Sequence, residues 1–351
     1  MCEALVILGP TASGKSALAL QLAKHLRAEI ISLDSALVYK GMDVGTAKPT
    51  ADELSICPHH LIDICDPADS YSAAQFRADC IALVGEIRAR GALPIICGGT
   101  MMYYKALVDG LSPVPTSTPE VRAKVQALAD EQGWPALHQL LAQYDPPLYA
   151  KLAPNDKQRV ARALEVYFLT GRAMSSFLQQ PKEACPFTRL ELVLLPKNND
   201  RTHLREVIRQ RFVQMLQQEH GLLEETQALL DRGIYHNAPA MRAVGYRQAA
   251  MYLQGEVSYE QMIELGIIAT ARLAKHQMTW LRGGLKSEES RGKDDAAKTR
   301  LPDNTTTTTT VTADGTERHY LWFEEPDKLE RALHIMKSHP QLWAYAQAAT
   351  L

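Results

Sequence analysis

The sequence predicts an α/β protein: a parallel sheet flanked by helices and interrupted by an all-helical insertion. Three observations predict it. Short apolar runs alternate with helical patterns through the first third of the chain, the mark of strand and helix units wound into a parallel sheet. A glycine-rich turn follows the first apolar run directly. Three prolines then fall within residues 113–119, and neither a strand ladder nor a helix interior continues through such a cluster.

In chain order, strands are expected at 4–8, 29–33 and 93–97. Between them, Leu18, Leu22 and Leu26, with Ala19 and Ala23 beside them, recur at three and four residues as one helical face. The proline cluster ends a first core part, 1–111, and opens an insertion, 112–186. Signals there are helical from 119 to about 178, with Asn155 as an N-cap and Gln158 three residues on. Residues 190–195 read as an apolar strand returning to the sheet. A mostly helical second core part follows, 187–285, with helices over 202–281. Residues 286–300 hold nine charged side chains, and residues 305–310 are all threonine. Neither run buries enough apolar surface to offset chain ordering, so 286–318 is expected to be a mobile loop before a C-terminal strand, 319–323, and a helix in 319–351.

With 46% hydrophobic and 22% charged residues the chain can bury a core, which excludes collagen-like, disordered and disulfide-scaffold classes. No apolar stretch approaches the ~18 residues of a bilayer span, so no membrane partner is expected. Residues 1–8 lack a basic leader and cleavage site. The six cysteines form no Cys-x-x-Cys pair and read as thiols of a reducing compartment. A cytoplasmic monomer is the expectation. Lys plus Arg number 38 and Asp plus Glu 40, so any nucleic-acid site has to be a local patch.

The chemistry starts at Gly9-Pro10-Thr11-Ala12-Ser13-Gly14-Lys15-Ser16, which fits Gly-x-x-x-x-Gly-Lys-Ser/Thr between a strand and a helix. Backbone N–H groups there converge on phosphate oxygens, Lys15 adds a point charge, and Ser16 can hold a phosphate-bound Mg2+. The core is therefore expected to be P-loop NTPase-like, with a di- or triphosphate in the loop. Asp34 ends the second strand on the same rim, and three roles compete for it: a water-mediated magnesium contact, a general base, or a turn cap. Gly98-Gly99-Thr100 ends the third strand there, as a ligand-approaching turn or a plain one. Two helical stretches cluster cations: Gln158, Arg159 and Arg162, and then Arg272, Lys275, Thr279 and Arg282. Each alone reads as solvated surface; two beside a phosphate loop make nucleic acid a serious candidate. A small-molecule kinase and a non-catalytic regulatory NTPase are the rival readings.

Several runs closely resemble tRNA dimethylallyltransferases of the bacterial type. They are Gly9 through Ser16; Asp34-Ser35-Ala36-Leu37-Val38-Tyr39-Lys40-Gly41-Met42-Asp43-Val44-Gly45-Thr46-Ala47-Lys48-Pro49; Pro58-His59-His60-Leu61-Ile62-Asp63; and Gly98-Gly99-Thr100. The resemblance continues through 155–167, Arg242-Ala243-Val244-Gly245-Tyr246-Arg247-Gln248 and Lys275-His276-Gln277-Met278-Thr279-Trp280-Leu281-Arg282. The tail beyond Arg282 carries no match.

The resemblance implies transfer of a dimethylallyl group from dimethylallyl diphosphate to the exocyclic amine of the adenosine 3′ of the anticodon. Gly9, Thr11, Ala12, Ser13, Gly14, Lys15 and Ser16 would then hold the donor's diphosphate with Mg2+, and Arg211 would reach it too. Asp34 matches the family's general base, with Thr100 beside it. The tRNA anticodon stem-loop would meet Asp34, Ser35, Ala36, Leu37, Thr100 and Arg122, and also Gln158, Arg159, Val160, Ala161 and Arg162. Arg242, Gly245, Tyr246, Arg247 and the run from Lys275 to Arg282 would complete that contact. One departure is His276, where the resemblance leads to a second basic residue.

Overall fold

A computed structural model describes residues 2–197, 200–283, 309–312 and 314–348; most of the charged and threonine-rich run lies outside them. Among the described residues seven strands form one sheet: β1 (Ala4–Leu8), β2 (Ala28–Leu33), β3 (His59–His60), β4 (Leu93–Gly98), β5 (Arg189–Leu195), β6 (Thr309–Val311) and β7 (Glu317–Trp322), in the order β3-β2-β4-β1-β5-β7-β6. Every pairing is parallel except β6 with β7. All residues of β1, β2, β4 and β5 are buried, as a parallel sheet covered on both faces requires. The α/β class read from the sequence is the fold observed.

The chain divides into two compact units, residues 1–107 with 186–351, and residues 108–185. In the first, Leu5, Ile7, Ile30, Ile95, Leu192 and Leu194 face helices Lys15–His25, Lys328–Lys337 and Pro340–Ala348 in one apolar cluster. A second cluster joins Val38, Tyr39 and Met42 to Phe212, Leu222, Tyr246 and Met262, packing helices Thr202–Gln217, Leu222–Asp231, Tyr246–Leu253 and Tyr259–Gly283 over the segment after β2. The other unit is all helical, and Val125, Leu137, Leu141, Val160 and Leu164 make its core. Its buried Asp145 accepts the N–H groups of Leu148 (3.3 Å) and Ser175 (2.9 Å), so one carboxylate starts a helix and ties down a second segment.

Four expectations need correction. Helix Lys157–Thr170 is capped by Asp156, which accepts the Arg159 N–H at 3.2 Å, and Asn155 lies outside the helix. The short strand β3 was not expected. Thr309–Val311 pairs with β7 as β6 inside the span expected to be a loop; residues 286–308 of that span lie outside the described residues. Finally, the apolar strand 190–195 contains a charge: the Glu191 side chain is fully buried. Its Oε1 accepts from Arg189 Nε (3.0 Å) and its Oε2 from Arg318 Nε (2.6 Å), with the Tyr104 hydroxyl as a further donor. Burial of a carboxylate is tolerable only with such pairing.

Candidate active site

Strand register builds the rim. Leu33 and Leu8 both pair with Gly98, so β2, β1 and β4 end side by side and release Asp34, Gly9 and Gly99 at one edge, the carboxyl edge where ligands of open α/β sheets sit. Close approach there needs glycine. A Cβ on Gly98 would lie 2.1 Å from the Leu33 carbonyl oxygen. The turn into helix Lys15–His25 uses Gly14 at φ 80°, and Ala12 also takes a positive φ of 64°, an unusual conformation for a residue with a side chain.

Thr11, Ala12, Lys15, Asp34, Ser35 and Ala36 line a pocket of about 550 Å³ together with Thr100. Its charged lining is four cations, Lys15, Lys105, Arg211 and Arg242, against one carboxylate, Asp34, a field that favours an anion. Lys15 Nζ donates to the Pro10 carbonyl at 3.3 Å, its one hydrogen bond among the described residues. Burial lowers its pKa despite the opposing influence of Cys97 and Asp34, and burial likewise lowers that of Arg211. Both cations have lost hydration that phosphate oxygens can replace. The Ser16 hydroxyl group is on an exposed residue at the helix start, a hard oxygen donor suited to a diphosphate-bound Mg2+. The Ser13 side chain is buried, outside the pocket lining, and its Oγ has no hydrogen-bond partner among the described residues.

Of the roles that competed for it, Asp34 takes the turn cap in the structure. Its Oδ1 accepts the Ala36 N–H at 2.8 Å, closing a turn. Its Oδ2 has no hydrogen bond among the described residues, and the residue lines the pocket. Thr100 Oγ1 accepts the Ser35 N–H (3.0 Å) and donates to Ser35 Oγ (3.3 Å), fastening the β4 turn to the β2 turn. Leu37 accepts the Asp63 N–H through its carbonyl.

Two positioning contacts escape sequence reasoning, one made by a residue already singled out, Gln277, and one by Glu225, which was not. Gln277 lies 9% exposed and bridges the Thr11 N–H and the Gly99 carbonyl, so it holds the loop instead of standing free on a binding face. Glu225 receives the N–H groups of Asp43 (2.9 Å), Val44 (2.7 Å) and Gly45 (3.0 Å), plus the Tyr246 hydroxyl. It thereby fixes the segment whose Gly45, Thr46 and Ala47 line the pocket. Nothing near Glu225 in sequence signals this role.

Helix Tyr259–Gly283 divides its residues between two cavities. His276, Gln277 and Trp280 border the pocket. Arg272 and Lys275 instead border a groove of about 820 Å³ with Arg201, Arg205 and Arg209. Thr279 is exposed, and burial lowers the pKa of the half-buried Arg282, with Arg201 nearby adding to the effect. Met278, Leu281, Tyr246 and Val160 are all at most 1% exposed, so their side chains serve packing and not a surface contact. Arg242 and Gly245 border the pocket, while Arg247 is exposed outside its lining.

In the helical unit, Gln158 is exposed and Ala161 half-buried. Arg159 pairs with Asp156, and Arg162 donates to the Pro115 carbonyl at 2.6 Å. Arg122 donates to the Ser117 carbonyl at 3.3 Å. These cations are held by their own unit, which orients them.

A family model described as IPP transferase matches residues 37–284, well over half of the chain. The chain belongs to the IPP transferase family. Among solved structures, this IPP transferase is 32% identical to the full-length tRNA isopentenylpyrophosphate transferase of Bacillus halodurans, over 99% of this chain and 98% of that one, with a TM-score of 0.59. It is 30% identical to a tRNA delta(2)-isopentenylpyrophosphate transferase of Staphylococcus epidermidis, over 97% and 99%, with a TM-score of 0.60. It is also 28% identical to a eukaryotic dimethylallyltransferase acting on tRNA, over 80% and 70%, with a TM-score of 0.68. The family match begins beyond the phosphate loop, and the full-length likeness to the bacterial structures covers the loop as well. No helix among the described residues of this IPP transferase is long and apolar enough to cross a membrane.

Proposed function

We propose that this enzyme, a tRNA prenyltransferase, transfers a dimethylallyl group from dimethylallyl diphosphate to the exocyclic amine of the adenosine 3′-adjacent to the anticodon. The carrying observation is one pocket that joins four cations to a carboxylate with an unengaged oxygen. The donor's diphosphate would lie along Thr11, Ala12 and Lys15, with Arg211 in the same pocket lining. Mg2+ at Ser16 would supply further charge neutralisation for the departing diphosphate.

In the reaction the allylic C–O bond breaks, the electron pair leaves with the diphosphate, and the amine nitrogen bonds to the carbon. The amine is a poor nucleophile because its lone pair is delocalised into the ring. Asp34 Oδ2 takes its proton as the C–N bond forms, while Oδ1 keeps the carboxylate aimed through its bond to Ala36. No phosphoryl group moves, and family membership decides against the kinase reading. The acceptor base cannot react within the anticodon stack and enters the pocket extruded. The anticodon stem-loop is the partner, gripped by the exposed cations Arg242, Arg247 and Lys275 and by those of the helical unit. Monomeric, cytoplasmic action completes the proposal; all six cysteines are free thiols.

Incubation with unmodified tRNA, dimethylallyl diphosphate and Mg2+ should yield prenylated adenosine and free diphosphate in nucleoside mass spectrometry. Adenosine left unmodified, with phosphate transfer from ATP in its place, would overturn the proposal.

A further inference from the structure

Two strands along the sheet from β1, three side chains from two segments of the chain converge. Glu317 and His319 are two apart on β7 and so project from one face of the strand. His339 joins them from the turn between helices Lys328–Lys337 and Pro340–Ala348. One ligand atom from each lies within 4.8 Å of the others. None of the three lines the pocket of the proposed reaction.

The Glu317 carboxylate stands at ion-pair distance from both imidazoles, longer than the close hydrogen bonds this chain makes elsewhere. Where an imidazole and a carboxylate bond elsewhere in this chain, they close to 2.7 Å (His60 and Glu29) or 3.0 Å (His220 and Glu224). Here His319 Nε2 stands 3.4 Å from Glu317 Oε1 and His339 Nε2 stands 3.2 Å from Glu317 Oε2. Both Nε2 atoms are buried and have no hydrogen-bond partner among the described residues. The His319 side chain is only 8% exposed, so an unbonded ring nitrogen there is costly unless something else engages it.

The spacing suits a metal ion. Ligands about 2.0–2.1 Å from a tetrahedral zinc ion stand roughly 3.3 Å from one another. The ring's other nitrogen is also prepared: His319 Nδ1 lies 3.0 Å from Thr309 Oγ1 on β6. With Nδ1–H donating to that hydroxyl, Nε2 presents its lone pair to the cluster, the outer-shell orientation typical of metal-bound histidines. Two imidazoles with one carboxylate select a late first-row ion over Mg2+ or Ca2+, which take oxygen ligands.

We propose that Glu317, His319 and His339 form a structural Zn2+ site that clamps the β6–β7 edge of the sheet to the C-terminal helices. His319 Nε2, His339 Nε2 and one Glu317 oxygen are the protein ligands, and water takes the fourth position.

The test uses the full chain, stripped with chelator and titrated with Zn2+ and separately with Co2+. One equivalent of Zn2+ should bind and raise the melting temperature, and Co2+ should give the visible absorption of a four-coordinate ion. His339→Gln and Glu317→Gln should each lose the equivalent, the absorption and the thermal shift. The half-exposed Glu317 makes its variant the safer test if His339→Gln fails to fold. No saturable Zn2+ binding would overturn the site. So would binding that survives in Glu317→Gln, which would place the ion on other histidines or cysteines, or an equal thermal shift with Mg2+.

Discussion

Gln277 holds Thr11. Its Oε1 accepts the Thr11 backbone N–H at 2.9 Å while its Nε2 donates to the Gly99 carbonyl at 2.8 Å, so one amide spans the ends of β1 and β4 from a helix more than 170 residues away. A Cβ on Gly99 would meet Nε2 at 2.6 Å, which shows how closely the amide is seated.

Gln277→Ala should therefore leave its helix intact and orphan two backbone groups, at a cost of about 1–3 kcal/mol in stability. The phosphate loop should also loosen. Urea unfolding and the KM for the diphosphate donor check this, and a variant with wild-type values in both would show that the bridge is idle.

Asp34→Asn should slow turnover by about 100- to 10,000-fold while tRNA affinity changes little. The structure makes this a clean substitution, because an asparagine oxygen can still accept the Ala36 N–H and keep the turn. Single-turnover prenylation and filter binding separate the two effects. Equal losses would make Asp34 a binding or folding residue.

Lys15→Met should weaken inorganic diphosphate binding by about 10- to 100-fold, the worth of a charge-assisted contact, without lowering the stability of the free protein. Burial holds the folded-state pKa of Lys15 below the ordinary 10.5, so the unfolded chain binds this proton more tightly. Stability should then rise as pH climbs from the folded value toward 10.5, and the variant should lack that increment. The difference between wild-type and variant melting curves across that alkaline window isolates it. A variant that melts lower at neutral pH would contradict the burial argument.

Glu191→Gln should cost about 3–5 kcal/mol, because it leaves the buried Arg318 and Arg189 guanidiniums without their shared carboxylate. Arg189 retains Asp314 at 2.8 Å, whereas Arg318 loses its counter-charge. Chemical denaturation measures the loss; a stable variant would mean the cluster is compensated elsewhere.

Much of the fold and part of the site are legible in the residues alone. Periodicity locates β1, β2, β4 and β5 within a residue or so, because apolar runs bounded by turn residues have one good way to be buried. The phosphate loop carries its own signal, since glycine spacing and a lysine are local requirements of anion binding. Asp34 can be placed on the rim, yet its division between a turn and the pocket cannot, because that depends on which oxygen the Ala36 N–H finds. Glu225 looks like an ordinary helix-surface residue, Gln277 stands in a recognisable run that does not reveal its bridge to Thr11 and Gly99, and Glu191 is lost inside an apolar run.

The chain's own order of residues thus determined which segments become strands and helices and where the glycine-rich loop forms its cradle of backbone groups, because those outcomes rest on interactions between near neighbours in sequence. Tertiary structure alone decided which distant side chains serve that cradle. Gln277 reaches the loop and Glu225 the 43–45 turn because helices from the far end of the sequence pack over the segment after β2, and the same packing split the basic helix face between the pocket and a separate groove. A hydrogen bond across 266 residues leaves no periodic trace in sequence; it exists only once packing has placed donor beside acceptor.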